Sequence, residues 1–377
     1  LDEREGKVED FVKDRSFNNQ SLLKMSIIVF SGPLFNFILA VFFYFLIFVS
    51  GYSGFQPSVG LLINNSVGEN IGIQEGDIIH SVNSRNVKTW SDATLQTIKF
   101  ASEKKNINLE VLRNNVVIKL KEVEHEKINF ESKNIFENLG ILNFASNSVT
   151  IGHIEEGSAA EIYGLLVADK ILAINGVSVR NWIEIVNFIK ESPGIKLSLY
   201  ILRNGNNLTI NVIPEKLINS GFEAGRLGIG PLIDNDLISK NTIKVQYGFF
   251  DCIKLSVYKT YDFTLLTFNF IFRLIKGEAS SNSISGPVGI ASYASDSFSS
   301  GYTSFLSLLA MLSISIGILN LLPIPMLDGG HLMYYLIEFV MRRPIPDKVQ
   351  LMFQQLGMSF LILLSIFALY NDLLRIM

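Results

Sequence analysis

Three long runs without Asp, Glu, Lys or Arg constrain this chain more than any other feature. They cover residues 25–50, 297–327 and 349–371. Each is long enough for a membrane-spanning helix, which needs about 20 apolar residues. A charged fraction of only 18% and a mean hydropathy of +0.33 agree with this interpretation. The sequence therefore predicts a multi-domain membrane protein with transmembrane helices over 25–50, 301–327 and 349–371.

Lys and Arg are distributed unevenly around these runs. Residues 1–24 carry five of them, and residues 328–348 carry three, at Arg342, Arg343 and Lys348. Residues 51–84 and 277–303 carry none. Because Lys and Arg favour the cytoplasmic ends of spans, we expect 1–24 and 328–348 to face the cytoplasm. Residues 51–300 are then expected outside.

Composition also excludes several classes of protein. The net charge of -3 gives no basic face of the kind that binds nucleic acid, so we expect no nucleic-acid partner. Cys252 is the single cysteine of the chain, which excludes an intramolecular disulfide and a Cys-rich metal site. Only four histidines occur, so a His-based metal site has to be sparse.

The soluble middle of the chain contains a repeat. A shift of 92 positions aligns residues 59–90 with 151–182, with identities that include Gly72/Gly164, Asp77/Asp169 and Trp90/Trp182. The Leu-Arg-Asn triplet at 112–114 recurs at 202–204. A repeat of this length predicts two copies of one domain, which we place at 51–125 and 126–220, with a further outer region at 221–300.

The second copy contains the run SAAEIYGLLVADKILAINGVSV, which resembles the core pattern of PDZ domains. PDZ domains bind peptide ends by adding them as a strand to a sheet edge. Gly140 and Ile141 stand where the carboxylate-binding loop of the second copy is expected. Two alternatives remain open: each copy binds peptide ends, or it acts as a plug that excludes large substrates.

Residues 247–276 show a helical apolar stripe that includes Phe250, Val257 and Phe272. The charges at Asp262 and Arg273 leave too short an uncharged stretch to span a membrane. The pattern predicts an amphipathic helix on the outer membrane surface, or one that packs on neighbouring domains.

An aspartate follows a broken helix at the end of the second predicted span. The segment reads NLLPIPMLDGGH from Asn320 to His331, and its two prolines interrupt the helix. An ionisable group at this depth usually has a partner and a function. Asp328 is therefore a candidate metal ligand, or a cap for a helix that begins at Gly329. In the first span, Pro33 is expected to break the helix near Asn36, or to mark simple helix packing.

The order of these pieces resembles the bacterial site-2 protease family. The shared features are a GPLFNF span, two outward modules, the SGPVGI stretch at 285–290 and the LDGGH motif. This resemblance implies an intramembrane zinc (Zn²⁺) metalloprotease of the bacterial inner membrane, with its PDZ domains in the periplasm and its metal site near the cytoplasmic side. It implies zinc binding by Asp328 and substrate positioning by Asn320 and Pro323, and it gives His331 no ligand role. The expected substrates are transmembrane segments of already trimmed proteins, such as an anti-sigma factor or signal-peptide remnants.

The family pattern also includes an HExxH helix, which this sequence lacks: His125-Glu126 is followed by Lys-Ile-Asn. We therefore expect the chain to be N-terminally truncated, without its catalytic first span and without a catalytic residue of its own. Such a chain should be inactive as given. The alternative is a non-catalytic membrane PDZ scaffold, a pseudoprotease that binds partners and the lipid bilayer.

Overall fold

The computed structural model describes residues 17, 20–128, 134–143, 148–219, 222–232, 235–277 and 285–376. Most of the predicted cytoplasmic segment 1–24 lies outside these residues. The chain forms two compact units, one of Leu1–Tyr52 with Val245–Met377 and one of Ser53–Lys244. The first is the helical unit, and the second is the β-rich unit.

The described helices are α1 (Leu22–Ser50), α2 (Val67–Asn70), α3 (Trp90–Ser102), α4 (Ile135–Asn138), α5 (Ala159–Ile162), α6 (Trp182–Lys190), α7 (Asn235–Asn241), α8 (Phe249–Ile275), α9 (Pro287–Ser299), α10 (Tyr302–Leu321), α11 (Asp328–Met341) and α12 (Asp347–Ile376). The described strands are β1 (Tyr52–Phe55), β2 (Val59–Leu62), β3 (Ile78–Val82), β4 (Arg85–Asn86), β5 (Leu109–Arg113), β6 (Val116–Lys119), β7 (Ile141–Asn143), β8 (Ile151–Ile154), β9 (Lys170–Ile174), β10 (Val177–Ser178), β11 (Leu197–Arg203), β12 (Asn206–Val212), β13 (Glu215–Asn219), β14 (Phe222–Arg226), β15 (Ile229–Pro231) and β16 (Thr242–Val245). Strands β1 and β16 pair with each other.

Three helices of the helical unit are long and apolar enough to cross a membrane: Leu22–Ser50, Tyr302–Leu321 and Lys348–Leu374. They fall on the three predicted spans. Helices α1 and α10 pack closely, and the Ser313 hydroxyl donates a hydrogen bond to the Asn36 carbonyl at 2.8 Å. Of the two alternatives for Pro33, the helix break is wrong, because α1 continues through Pro33, which is buried within it.

Helix α8 packs against both α1 and α10. Its buried residues include Cys252 and Ser256, whereas its bulky apolar side chains are largely exposed, as at Phe250 and Phe272. The Phe249 and Phe263 rings, fourteen residues apart on α8, contact the neighbouring α1 residues Phe45 and Tyr44. The small side chains face the protein, and the apolar stripe faces outward.

Helix α11 occupies most of the segment 328–348, which the sequence analysis places on the cytoplasmic side and for which it predicts a helix only as the alternative that begins at Gly329. It packs against α1. Asp328 at its start lies beside Gly32 of α1, and residues at its end lie near Leu22. Helix α11 therefore runs antiparallel to the first third of α1. The mixed apolar and polar sequence after the Gly-Gly pair suits a helix with one packed face rather than a loop.

The first module of the β-rich unit contains a four-stranded antiparallel sheet in the order β4-β3-β5-β6 and a separate pair of β2 with β7. The second module repeats this plan, with the order β10-β9-β11-β12 and a pair of β8 with β15. Each module has its own apolar core, in which Ile79 and Ile171 occupy equivalent positions. Hairpin β13–β14 is an addition in the second module.

The structure explains the strongest identities of the repeat. Arg113 donates two hydrogen bonds of 2.7 Å to the buried Asp77 carboxylate and a third to the Gly72 carbonyl. Arg203 makes the same three bonds, with Asp169 and Gly164. The hydrogen bonds with Asp77 and Asp169 raise the pKa of the two guanidinium groups above its ordinary value. Both modules therefore contain the same hydrogen-bonded Arg–Asp pair.

The boundary between the modules differs from the predicted one at 125/126. Ile135, Phe136 and Leu139 are buried in the core of the first module. Strand β7 pairs with β2 of that module, so Gly140 and Ile141 belong to the first module and not to the second. The corresponding segment of the second module is Leu227-Gly228-Ile229, which lies beyond the predicted end at 220. The reason is topological: the strand that completes each module comes last in sequence.

Candidate functional site

The candidate site lies where α10 ends and α11 begins. Helix α10 stops at Leu321, because the next residues place Pro323 and Pro325 in a segment that cannot continue a helix. The chain then makes two tight turns, in which Ile324 N–H bonds to the Leu322 carbonyl at 2.7 Å and Leu327 N–H bonds to the Ile324 carbonyl at 3.1 Å. Residues 322–327 are therefore folded back on themselves and are not an extended strand.

Glycines allow this turn to pack directly on helices. A Cβ atom at Gly329 would overlap the Leu322 carbonyl, and one at Gly330 would lie 2.5 Å from the Ile324 carbonyl. On another side, Gly357 of α12 packs against the Pro325 carbonyl, where a Cβ would also overlap. The Gly-Gly pair after Asp328 is thus a steric requirement of the turn, and α12 meets the turn at a third glycine.

Asp328 is the first residue of α11, and its side chain is half-buried. Its Oδ2 atom lies 3.0 Å from the point that a Cβ at Gly32 would occupy. The N-cap residue of α11 is Leu327, whose side chain makes no capping hydrogen bond. Asp328 therefore does not act as the cap that was one of the two alternatives. Its negative charge is favoured by the N-terminal end of the α11 dipole.

The Asp328 carboxylate receives no hydrogen bond or ion pair from the part of the chain that the structure describes. Gly32 lies ten residues into α1, which is about 15 Å along the helix at 1.5 Å per residue. The carboxylate is therefore level with the body of a helix that can span a membrane, not with its end. A half-buried carboxylate at that level is a costly arrangement that usually serves a function.

Asn320 and Pro323 flank the same turn. Asn320 is half-buried on the last turn of α10, and Pro323 is exposed directly after the helix. His331 lies one turn into α11, where its ring packs edge-on against Tyr334 at 6.1 Å between centroids. The structure thus places Asp328, Asn320 and Pro323 on one short segment.

Gly140 and Ile141 lie far from this segment in sequence and belong to the β-rich unit. Gly140 adopts a left-handed conformation, with φ of 76°, and packs tightly on Ser66. Strand β7 begins at Ile141 and, within the described residues, pairs only with β2. Within the described residues, no second strand lies along the other edge of β7, whose Ile141 and Leu142 side chains are buried. Gly228 and Ile229 form the same arrangement in the second module, with Gly228 against Ser158.

Two features of the helical unit were missed by the sequence analysis. The Asp372 carboxylate near the end of α12 accepts hydrogen bonds from the Gly286 and Gly289 amides, each at 2.9 Å. It thereby caps the start of α9 from another helix, which explains the SGPVGI stretch. Gly32 beside Asp328 was the other omission. The sequence carried a signal for each feature. For Asp372 it was a carboxylate at the end of an apolar run, and for Gly32 it was a glycine directly before Pro33.

No group of three or more His, Cys, Asp or Glu side chains that could hold a metal ion occurs among the described residues. Asp328 offers the chemistry of a single ligand, since a carboxylate oxygen binds hard and borderline divalent cations, including zinc. Its lack of hydrogen-bond partners in the described chain leaves both oxygens available to a cation. The residue fits a zinc site as one ligand of several.

Comparison with known proteins agrees with this arrangement. Peptidase family M50 matches residues 3–364 of the chain. The chain therefore belongs to peptidase family M50, and the resemblance to site-2 proteases is confirmed. The match includes α1, the β-rich unit and the Asp328 segment.

Individual relatives are similar over the whole chain. A putative zinc metalloprotease of Vibrio cholerae is 32% identical over 382 residues, which cover 99% of this chain and 84% of the relative. The regulator of sigma-E protease of Escherichia coli is 31% identical over 379 residues, which cover 100% and 84%. A solved PDZ domain of an SdrC-like protein from Listeria monocytogenes covers 26% of this chain and 97% of its own, at 18% identity and a TM-score of 0.20. We draw no argument from that last likeness.

Proposed function

We propose that this chain is part of an intramembrane zinc metalloendopeptidase and that Asp328 is one of its zinc ligands. The observation that carries the proposal is the half-buried Asp328 carboxylate, held against Gly32 of α1 and bonded to no described residue. Membership of peptidase family M50 and the relatives named as zinc metalloproteases support the same chemistry.

The rest of the proposed zinc site lies outside these residues. The sequence holds no HExxH motif, so the two histidine ligands and the glutamate base that the family resemblance implies have to be supplied by another segment. When bound, zinc would polarise a peptide carbonyl and activate water for its hydrolysis. The chain as given should therefore be inactive, with Asp328 contributing a negative charge and an oxygen ligand only.

The surrounding residues then act on the substrate. A transmembrane helix hides its carbonyls in hydrogen bonds and has to unwind before it is cut. The exposed Pro323 and the half-buried Asn320 lie at the turn beside Asp328, where an Asn side chain can both donate to and accept from an unwound backbone. We assign both residues to substrate positioning. The proposed substrates are trimmed membrane proteins, such as an anti-sigma factor of envelope-stress signalling or signal-peptide remnants.

We further propose that the two modules are tandem PDZ domains outside the cytoplasmic membrane. Strands β7 and β15 each begin after a left-handed glycine and, in the described chain, pair on one side only. A peptide end can add to the other edge, with Gly140 and Ile141 as the contact in the first module. The Lys and Arg distribution favours the metal site near the cytoplasmic side of the bacterial inner membrane.

The decisive experiment changes Asp328 in the protein as expressed from its complete reading frame. Asp328→Asn removes the charge but keeps the shape. We expect it to lower cleavage of a trimmed transmembrane substrate in membrane vesicles by at least about 100-fold, together with a loss of bound zinc measured by elemental mass spectrometry. The matched control is Asp296→Asn on α9, which removes an exposed carboxylate and should leave both quantities unchanged.

Two outcomes would contradict the proposal. Full cleavage by Asp328→Asn would remove this residue from the zinc site. A complete reading frame without an HExxH motif, and without zinc in the purified protein, would favour the non-catalytic PDZ scaffold instead.

A further inference from the structure

The C-terminal end of α11 forms a cavity of about 710 Å³ together with the first residue of α1. This end is remote from Asp328, which begins the same helix, and none of the residues proposed for catalysis or substrate binding lines it. The lining combines apolar and charged side chains: Leu22, Glu338, Phe339, Val340, Arg342 and Arg343.

The charges of this cavity are unbalanced. Glu338 is engaged locally, because its Oε1 atom accepts a hydrogen bond of 3.0 Å from the Ile345 amide. The guanidinium groups of Arg342 and Arg343 are exposed, and neither forms a hydrogen bond or an ion pair with the residues that the structure describes. Two adjacent guanidinium groups with at most one carboxylate beside them attract a singly charged anion, which planar N–H donors bind in pairs.

The apolar part of the lining faces outward. Phe339 and Val340 are each 72% exposed, and Leu336 on the preceding turn is 63% exposed. In water such a contiguous apolar surface would be unfavourable and unusual. In a chain with three helices fit to cross a membrane, the same surface meets acyl chains instead. Arg342 and Arg343 then lie at the boundary between the apolar and the charged surface of the protein.

We propose that this cavity binds an anionic phospholipid of the bilayer leaflet on this side, with its phosphate between Arg342 and Arg343 and its acyl chains along Phe339 and Val340. Charge complementarity selects this occupant. A zwitterionic phospholipid carries an ammonium group that the two arginines repel, whereas phosphatidylglycerol carries only the phosphate charge. Basic pockets at the cytoplasmic ends of spans bind anionic headgroups for this reason. The inference is independent of zinc binding and of proteolysis.

The test measures lipid retention by the full chain. The protein is purified in detergent and titrated with phosphatidylglycerol or phosphatidylethanolamine of identical acyl chains, and bound lipid is counted by native mass spectrometry. We expect a clear preference for phosphatidylglycerol. The double variant Arg342→Gln/Arg343→Gln should weaken phosphatidylglycerol binding by about 25-fold, since each basic residue near a charged membrane surface contributes about 5-fold. Binding of phosphatidylethanolamine should stay the same.

Two further variants keep the result interpretable. Lys119→Gln/Lys121→Gln removes the same charge from exposed positions of the β-rich unit and should bind phosphatidylglycerol like the parent. Arg342→Lys/Arg343→Lys keeps the charge but loses the planar paired donors, so it should bind phosphatidylglycerol more weakly than the parent and more tightly than the glutamine variant. Equal retention of the two lipids by the parent would overturn the proposal. So would unchanged binding by the glutamine variant, or an equal loss in the Lys119/Lys121 control.

Discussion

The two modules of the β-rich unit share their charge network and their loop contacts but differ in the segments that close them. Arg113 and Arg203 hold buried aspartates with bonds of the same length. The Gly68 amide donates to the Leu139 carbonyl at 2.7 Å, and the equivalent Ala160 amide donates to the Leu227 carbonyl at 2.9 Å. The Leu-Gly-Ile segments 139–141 and 227–229 are therefore structural equivalents.

The segment before each Leu-Gly-Ile is different. In the first module the short helix α4 precedes it, and Phe136 of that helix packs on Trp90 at 5.1 Å between ring centroids. In the second module the hairpin β13–β14 precedes it, and Gly225 packs against the Ile189 carbonyl at the end of α6. From this difference we infer that a buried ion pair tolerates little change in sequence, because the loss of either partner leaves a charge uncompensated. A closing segment needs only apolar residues and one left-handed glycine.

The largest effect is expected for the loop glycines. Gly140→Ala places a methyl group on the Ser66 side chain at a position with φ of 76°, and Gly228→Ala does the same at Ser158 with φ of 73°. Left-handed strain of about 1–2 kcal/mol adds to overpacking of about 1–3 kcal/mol. Each substitution should therefore destabilise its own module by about 3 kcal/mol. Hydrogen exchange measured by mass spectrometry on the purified protein would show faster exchange in that module alone.

Gly176→Ala is the matched control. Gly176 is also left-handed, with φ of 82°, but a Cβ there meets no atom within 4 Å. Gly176→Ala should therefore introduce the backbone strain without the overpacking, and the second module should lose about 1–2 kcal/mol of stability. The contrary result would be that the Gly140→Ala protein exchanges its amide hydrogens no faster than the Gly176→Ala protein. The contact with Ser66 would then contribute nothing to stability, and the equivalence of the two loops would rest on sequence alone.

A smaller and equal effect is expected for the two buried aspartates. Asp77→Asn and Asp169→Asn each replace a charged acceptor that is 1% exposed, while the partner arginines remain partly accessible to water. Hydrogen bonds to charged groups contribute about 1.5–3 kcal/mol, so each module should lose about 2 kcal/mol. The measured quantity is the free energy of opening of each module from hydrogen exchange. A difference of more than about 1 kcal/mol between the two variants would show that the networks are not equivalent.

These comparisons also show what the sequence could predict. The repeat and the three apolar runs are long, periodic signals, so they locate two modules and the three helices that can span a membrane. Arg113 and Asp77 stood out because both recur in the second copy. The family resemblance, carried by NLLPIPMLDGGH, implied site roles for Asp328, Asn320 and Pro323, and these roles stay predictions. Membership of peptidase family M50 confirms that resemblance.

The remainder depended on contacts between distant residues. A three-residue strand such as β7 carries no periodicity, so nothing in the sequence shows that Ile141 pairs with β2 rather than with the module that follows it. Likewise, the steric need for Gly329, Gly330 and Gly357 becomes visible only when the turn at 322–327 is seen packed against two helices. The capping of α9 by Asp372 joins residues more than 80 positions apart. Local sequence patterns do not show which residues distant in sequence come into contact.

The smallest effect is expected at a position in the shared loop contacts where the two modules carry different residues. Gly68 stands where the second module has Ala160, and a Cβ at Gly68 would lie 2.6 Å from Ile141 Cγ1 and 3.0 Å from the Leu139 carbonyl. Alanine favours the helix α2 by up to about 1 kcal/mol, whereas overpacking against Ile141 costs about 1–3 kcal/mol. Because the carbonyl belongs to the backbone and cannot rotate away, Gly68→Ala should destabilise the first module by about 1 kcal/mol.

The sign of this effect is the informative quantity. Ala160→Gly in the second module removes a methyl group that is fully buried in the core, so it should cost about 1 kcal/mol through helix propensity and about 0.8 kcal/mol through lost apolar burial. Hydrogen exchange of the two variants, each compared with the parent, gives both values. Stabilisation by Gly68→Ala would mean that Ile141 moves aside freely and that the start of β7 is soft. A loss would mean that Ile141 and the Leu139 carbonyl are held in place against the start of α2.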